Sequence, residues 1–372
     1  MKQIVVIISL LLILGLTAGA VFYLSSRFAI SFPILSQKKW IWSIAVILVF
    51  SFVGAIGLSD LSNVFQKAWS AFGSIMMGAF ILLLLSVFIT DMLHLIFKFA
   101  PLTRGYIALG LTLLLTIYGV WNAFNIKIKE IIVPIVGLKE EIRAVHLTDI
   151  HLGNSRGEKQ LKEIVKITKE LKPDVIFHTG DLFDSKIHFN GNTDVLKPFE
   201  TLNIPHYFVY GNHDEHVGVK QVTQLVEKSG ATVLMNEIAY FKDLQIVGLN
   251  NMLADSNAFD LHASNHSETV ETVLNELDIK ENHPTLILHH RPAGVKFMDN
   301  KGAQLLLAGH THAGQMFPFT LIAKWMFGYN KGHYKYNNLH IYVSEGVGTI
   351  FSPIRFGTGS EITLLRLIPI KN

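Results

Sequence analysis

Four uninterrupted apolar runs, about Ile4–Leu24, Trp40–Leu58, Ala68–Ile89 and Gly105–Phe124, fill the first third of this 372-residue chain. Each is roughly 20 residues long, the length a helix needs to cross a ~30 Å hydrocarbon layer. A buried helix in a soluble protein would be shorter and keep a polar face. Charge follows the same division. Residues 1–124 hold nine charged side chains (Lys2, Arg27, Lys38, Lys39, Lys67, Lys98, Arg104, Asp60 and Asp91), a net of +5. The other 52 charges lie in the remaining 248 residues, about 21%, close to an ordinary globular domain, with a net of −2. A wholly soluble enzyme and a disordered chain are excluded. With no Cys, so are a disulfide scaffold, thiolate metal sites and a Cys nucleophile. No basic cluster of the kind that nucleic acids require is present.

The division predicts a transmembrane region over 1–124 and a water-soluble domain over 125–372. Trp40, Trp42, Trp69 and Trp121 sit near the run ends, as interfacial aromatics do, and Pro33 and Pro101 fall between runs. Lys2, the first run and Ala18-Gly19-Ala20 also fit a signal peptide, but the run continues through Leu24, which favours a retained helix. A multi-pass protein of the cell membrane follows, facing a bilayer as partner. Its orientation stays open, with four cations near one side of the spans (Lys2, Lys67, Lys127, Lys129) against five near the other. Asp91 and His94 read as residues just past the third span, at headgroup level, rather than as an intramembrane site.

From Asn125 onward short β-branched runs alternate with amphipathic stretches, the mark of an α/β layered domain. Strands are expected at Ile142–Leu147, Asp174–Phe177, His206–Tyr210, Thr232–Leu234, Leu244–Leu249, Thr285–Leu288, Gln304–Leu307, His340–Val343 and Glu361–Leu367. Helices are expected at Glu158–Leu171, Gln221–Lys228 and Glu268–Leu277.

Five polar segments each follow one of these strands: Asp149-Ile150-His151, Gly180-Asp181, Gly211-Asn212-His213-Asp214, His289-His290 and Gly309-His310-Thr311-His312. Strand ends are where α/β sheets bind ligands. Carboxylate, imidazole and amide groups without sulfur suit Mn, Fe or Zn. The Asp149-x-His151 and His310-x-His312 gaps put each pair on one side of an extended segment. Gly180 permits a sharp turn that aims Asp181 inward, where one carboxylate can bridge two cations.

These five blocks, in this order, resemble the signature of the calcineurin-like metallophosphoesterases. The stretches LILHHRPAG, LLLAGHTHAGQ and YVSEGVGTIFSPIRFGTGSEITLLRL are similar to its YkuE-like branch. The likeness spans roughly Ile132–Leu367 and leaves out the four apolar runs. It implies a four-layer α-β-β-α sandwich and two divalent metal ions. Asp149, His151, Asp181 and His312 would hold the first ion; Asp181, Asn212, His290 and His310 the second. His290 is preferred to His289 because the family has its His two residues before the Pro, here Pro292. His213 would be the catalytic histidine, oriented by Asp214. Hydroxide generated between the cations would attack phosphorus in line, with His213 protonating the leaving oxygen.

The rest of the pattern carries less. Arg291 and Arg355 are candidate substrate clamps, although each also fits a salt bridge. Gly346-x-Gly348 and Gly357-x-Gly359 lack a P-loop's Gly-Lys-Ser/Thr and read as turns. His146, His178 and His206 fit the core or a supporting layer; His216, His262, His266 and His283 the surface; His188, His333 and His340 a surface or cleft. The expected activity is hydrolysis of a phosphomonoester, phosphodiester or pyrophosphate, on a phosphorylated small molecule or a lipid-linked substrate such as a UDP-diacylglucosamine. The MFPF and WMF stretches near Met316 and Trp325 fit acyl or membrane contacts and core packing equally. The alternatives are a broad phosphodiesterase for nucleotides or surface polymers, and a metal-dependent membrane receptor or accessory domain.

Overall fold

The computed structural model describes the chain except for residues 1, 58–63, 154–155, 186–194, 259–266, 282 and 371–372. Leu58, His188, His262 and His266 lie outside the described residues. The described chain forms two compact units, Met1–Trp121 with Phe351–Ile354, and Asn122–Ile350 with Arg355–Asn372.

In the first unit the apolar runs become α1 (Lys2–Ser31), α2 (Gln37–Phe52, followed by one π-helical turn at Val53–Gly57), α3 (Val64–Phe97) and α4 (Pro101–Phe124). All four are long and apolar enough to cross a membrane. Val21, Leu24, Phe28, Ile44, Val87 and Ala108 pack together at their centre. The sequence reading places Asp91 just past the third span on a continuing helix; α3 runs on to Phe97, and Asp91 is buried among the helices. Its carboxylate accepts from the Tyr23 hydroxyl at 2.7 Å and pairs with Arg27 Nε at 2.7 Å and Arg104 Nη1 at 3.5 Å. Partners from α1 and α4 make a carboxylate tolerable inside a helix bundle.

The second unit runs β1 (Ile126–Val136), β2 (Ile142–Leu147), α5 (Glu158–Glu170), β3 (Val175–Thr179), α6 (Lys197–Glu200), β4 (His206–Val209), α7 (Asn212–Lys228), β5 (Thr232–Val233), β6 (Glu237–Phe241), β7 (Leu244–Gly248), α8 (Val270–Glu276), β8 (Thr285–Leu288), α9 (Val295–Asn300), β9 (Leu305–Ala308), α10 (Phe319–Met326), β10 (Gly332–Tyr336), β11 (Leu339–Val343) and β12 (Ser360–Ile370). One sheet has the order β1-β12-β2-β3-β4-β5 and the other β10-β11-β9-β8-β7-β6. β2 to β5 are mutually parallel, as are β7, β8, β9 and β11, so their C-terminal ends share an edge within each sheet.

Side-chain alternation builds the layers. Val175 and Phe177 of β3 enter the core between the sheets with Leu286 and Leu288 of β8 and Leu305 and Leu307 of β9. Ile176 faces the opposite way, against Leu161, Ile164 and Val165 of α5 and Val222 and Val226 of α7. On the far side Ile287 and Leu306 meet Val273 of α8 and Met298 of α9. The result is a helix–sheet–sheet–helix sandwich. Strands buried on both faces read as unbroken apolar runs, which makes them visible in the sequence alone. Leu161, Ile164 and Val165 recur at helical spacing, and burying each contributes about 1.5–3 kcal/mol.

Candidate metal centre

The five polar segments all begin where a parallel strand ends. β2 delivers Asp149 and His151, β3 Asp181, β4 Asn212, β8 His290, and β9 His310 and His312. Three groups of nitrogen and oxygen atoms form there among the described residues: Asp149, His151 and His312; Asp181, His290 and His310; and, at the rim, His151, Asp184 and His213. In the first, His312 Nε2 is 3.0 Å from His151 Nε2 and 3.3 Å from Asp149 Oδ1. In the second, His290 Nε2 is 3.1 Å from Asp181 Oδ2 and 3.2 Å from His310 Nδ1. His151 Nε2 lies 3.8 Å from that same Asp181 oxygen, so one carboxylate touches both groups.

The convergence does not come from extended backbone, as the one-residue gaps suggest. Asp149, His151, Asp181, His310 and His312 have φ of 53°, 52°, 52°, 72° and 46°, all in the left-handed region. Such residues cost of order 1–3 kcal/mol each and persist where the surrounding fold over-determines them. Here the surroundings are backbone: Asp149 N–H donates to Gly180 O and His151 N–H to Asp181 O, while Val347 and Gly348 N–H donate to Thr148 and Asp149 O. The Gly346-x-Gly348 turn thus backs the first ligand segment. Gly180, at φ 83°, packs so closely on the next strand's loop that a Cβ would meet Gly211 N at 2.2 Å.

These residues fit divalent cations on three grounds. His290 Nδ1 lies 2.6 Å from the Thr179 carbonyl, which fixes the N–H there and leaves Nε2 as a lone pair aimed into the cluster. Asn212 Oδ1 is buried and has no hydrogen-bond partner among the described residues, an acceptor awaiting a cation. Two imidazole Nε2 atoms at 3.0 Å beside a carboxylate also form a natural ligand pair. The electrostatics agree. Burial alone would raise Asp149 and Asp181, yet the neighbouring His312 and His290 hold both carboxyls below their ordinary range. Burial lowers His290 while Asp181 outweighs it and raises the ring to about 9, so a cation taken at Nε2 would displace a proton from it.

His213, second residue of α7, stands at the rim of the first cluster, its ring edge-on to His151 with centroids 4.7 Å apart. The expected orienting carboxylate, Asp214, does something else. Asp214 is buried at the third position of α7, where Oδ2 accepts from Gly211 N–H and Oδ1 from Leu182 and Phe183 N–H, at 3.0–3.1 Å. It caps the helix and ties down the loop after β3, because these backbone donors have no ladder partner. Asp184 takes the orienting position, with Oδ1 2.9 Å from His213 Nδ1 and 3.3 Å from His151 Nδ1. Burial lowers the His213 pKa, but Asp181 and Asp184 outweigh it and raise the ring to about 9. Sequence reasoning missed Asp184, although its spacing three residues after Asp181 is a visible signal.

Both candidate arginines are buried and bonded to loop groups. Arg355 is fully buried; it donates to the carbonyls of Glu345, Gly346 and Gly348 and lies 3.4 Å from His312 Nδ1. Arg291 is also buried and donates through Nε to Asn251 Oδ1 at 2.5 Å. Loop carbonyls and amides at strand ends need donors, and a guanidinium supplies five. His289, neighbour of His290, is buried, with a pKa lowered by burial to about 3. His146 bonds Thr179 Oγ1 at 2.8 Å, and His178 stacks on His206, all three buried in the domain. His333 and His340 pair with each other on β10 and β11, 2.9 Å apart.

Residues 142–314 match the family model described as calcineurin-like phosphoesterase. An uncharacterized metallophosphoesterase of Helicobacter pylori (strain ATCC 700392 / 26695) is 30% identical over 275 residues, 72% of this chain and 71% of that protein. A transmembrane protein with metallophosphoesterase domain from Danio rerio is 30% identical over 317 residues, 77% of this chain and 71% of that protein. The crystal structure of TT1561 of Thermus thermophilus aligns with a TM-score of 0.38 at 11% identity, over 54% of this chain and 88% of that one. With family model, relatives and ligand-type residues in agreement, this chain belongs to the calcineurin-like metallophosphoesterases, metal-dependent hydrolases of phosphoesters.

Proposed function

We propose that the chain is a multi-pass membrane phosphoesterase that uses two divalent cations to cleave a lipid-linked phosphodiester or pyrophosphate, of the kind a UDP-diacylglucosamine represents. The observation that carries the two-cation reading is Asp181, whose Oδ2 lies 3.1 Å from His290 Nε2 and 3.8 Å from His151 Nε2. Asp149, His151, Asp181 and His312 would hold one ion; Asp181, Asn212, His290 and His310 the other. Bound there, Mn, Fe or Zn would acidify a water and neutralise charge on the phosphoryl oxygens.

The remaining chemistry belongs to the chain. Asp184 accepts the Nδ1–H of His213 and so fixes the ring's orientation. His213 Nε2 is then the atom that holds a proton for the leaving alkoxide. Asp214 and Gly211 fix the start of α7, and with it the place of Asn212 and His213.

The lipid side of the reading is supported by α10. Phe319, Leu321, Ile322, Trp325 and Met326 are exposed, Trp325 by 86%. Phe327, the next residue, sets its ring 5.8 Å from that of His310. An apolar surface adjoining a metal ligand suits acyl chains. The test is an assay of the full-length protein in detergent with Mn²⁺. A chromogenic phosphodiester should be hydrolysed, and Asp181→Ala and His213→Ala should each abolish turnover; activity surviving either removes the mechanism. A lipid-linked substrate should then show higher kcat/KM than its deacylated form. Equal values would favour the broad phosphodiesterase instead.

A further inference from the structure

The charges of the ion cluster in the helical bundle do not cancel. Arg27 of α1 and Arg104 of α4 both pair with Asp91 of α3, two guanidiniums on one carboxylate. Asp91 is the one acid of α3, and the start of that helix at Val64 is roughly 40 Å of helix away. The end of the bundle that gathers the C-termini of α1 and α3 and the N-termini of α2 and α4 carries Arg27, Lys38, Lys39, Lys98 and Arg104.

The depth of the cluster is marked by aromatic rings. Phe28 packs on Trp40 at 5.2 Å and Phe32 on Tyr106 at 5.4 Å, with Tyr23 bonded to Asp91. Trp and Tyr concentrate at the membrane–water interface. A surplus guanidinium there requires an anion, and the anion most abundant at that level is lipid phosphate. The side chains are arranged for one. Those of Asp91 and Arg104 are 9% and 10% exposed, whereas Arg27 is 37% exposed. Arg27 Nε lies 2.7 Å from Asp91 Oδ2 as an ion pair, and the guanidinium lies over the Tyr23 ring at 5.4 Å. A guanidinium fixed in this way presents its Nη groups as a fork that matches phosphate oxygens.

We propose that Arg27 and Arg104, set by Asp91 and Tyr23, bind the phosphate of an anionic phospholipid headgroup. The site is separate from the metal centre and does not depend on the lipid-substrate reading. The test measures binding of fluorescent phosphatidylglycerol to the full-length protein in detergent, with phosphatidylcholine and inorganic phosphate as competitors. Phosphatidylglycerol should bind more tightly than phosphatidylcholine, and millimolar phosphate should not displace it. Loss of one charge-assisted bond in Arg27→Gln should weaken binding by about tenfold. Arg27→Lys should recover part of that loss, and Lys38→Gln should change little. Because Arg104 is buried and its loss can impair folding, the exposed Arg27 is the deciding position. Wild-type affinity in Arg27→Gln, or equal affinity for the two lipids, would overturn the site. Displacement by inorganic phosphate would overturn its assignment to lipid.

Discussion

Replacing Asp184 with Asn tests its hold on His213, with metal content read alongside because the same oxygen lies 3.3 Å from His151 Nδ1. The substitution keeps shape and removes the negative charge that faces His213 Nδ1 at 2.9 Å. A hydrogen bond to a charged group contributes about 1.5–3 kcal/mol. The two side chains are 36% and 27% exposed, so solvent screening argues for the lower part of that range. About 1.5–2 kcal/mol in the transition state corresponds to a loss of roughly 10–30-fold in kcat. Since the Asp184 charge helps to raise His213, its removal lowers that pKa, and the alkaline limb of kcat should move to lower pH. Steady-state kinetics across pH would be paired with metal analysis and thermal unfolding. Asp214→Asn gives the contrast: three backbone donors lose a carboxylate, so stability and metal content should fall. Wild-type kcat in Asp184→Asn, or an unmoved alkaline limb, would refute the orienting role. Loss of metal from that variant would make Asp184 a support for the ligands instead.

Other expectations follow from packing and titration. In Gly211→Ala the new Cβ would meet Asp181 Oδ1 at 2.0 Å and its backbone N at 2.5 Å, so metal content and activity should collapse together; retention of both would show that the loops yield. His206 is buried, its Nε2 has no partner among the described residues, and burial lowers its pKa to about 4. Its neutral form is native, so stability is full above about pH 6.5 and declines as pH falls toward 4, by up to about 3 kcal/mol. His206→Phe should therefore flatten the acid limb of the urea midpoint, and an unchanged limb would remove His206 from the account. Trp325→Ala should lower kcat/KM for an acylated substrate while leaving a small chromogenic ester unaffected; equal losses would assign Trp325 to the fold.

The strands that build the two central layers are legible in the sequence because both faces are buried. Ile142–Leu147 and Thr285–Leu288 have the observed bounds. β1 escapes notice because Lys127, Lys129 and Glu130 alternate with its apolar residues and Pro134 interrupts it; it lies at a sheet edge, paired only to β12. α7 breaks at Gly218, φ 137°: the expected helix Gln221–Lys228 lies in the piece beyond the break, and the piece before it, built from Asn212, His213 and Asp214, shows no apolar periodicity. The metal-site residue types are legible from strand-end position, but their backbone conformation is not. A left-handed Asp or His follows from carbonyl and amide partners contributed by distant loops, such as Gly348 to Asp149. The same distance explains the arginines. Arg355 reads as a substrate clamp in a polar loop until the carbonyls it serves are seen in three dimensions.

The left-handed ligand positions also limit how this centre can vary. Asn, Asp and His are the residues that enter that region most readily after Gly, and they are also nitrogen and oxygen donors. Backbone geometry and coordination chemistry therefore select the same short alphabet. Glu would be a chemically reasonable substitute for Asp149 or Asp181, yet it lacks the short side chain that bonds locally in this conformation. A longer carboxylate would have to meet the backbone cost without that compensation. Because backbone hydrogen bonds from distant loops hold these angles, one divalent ion should exchange for another without the domain unfolding.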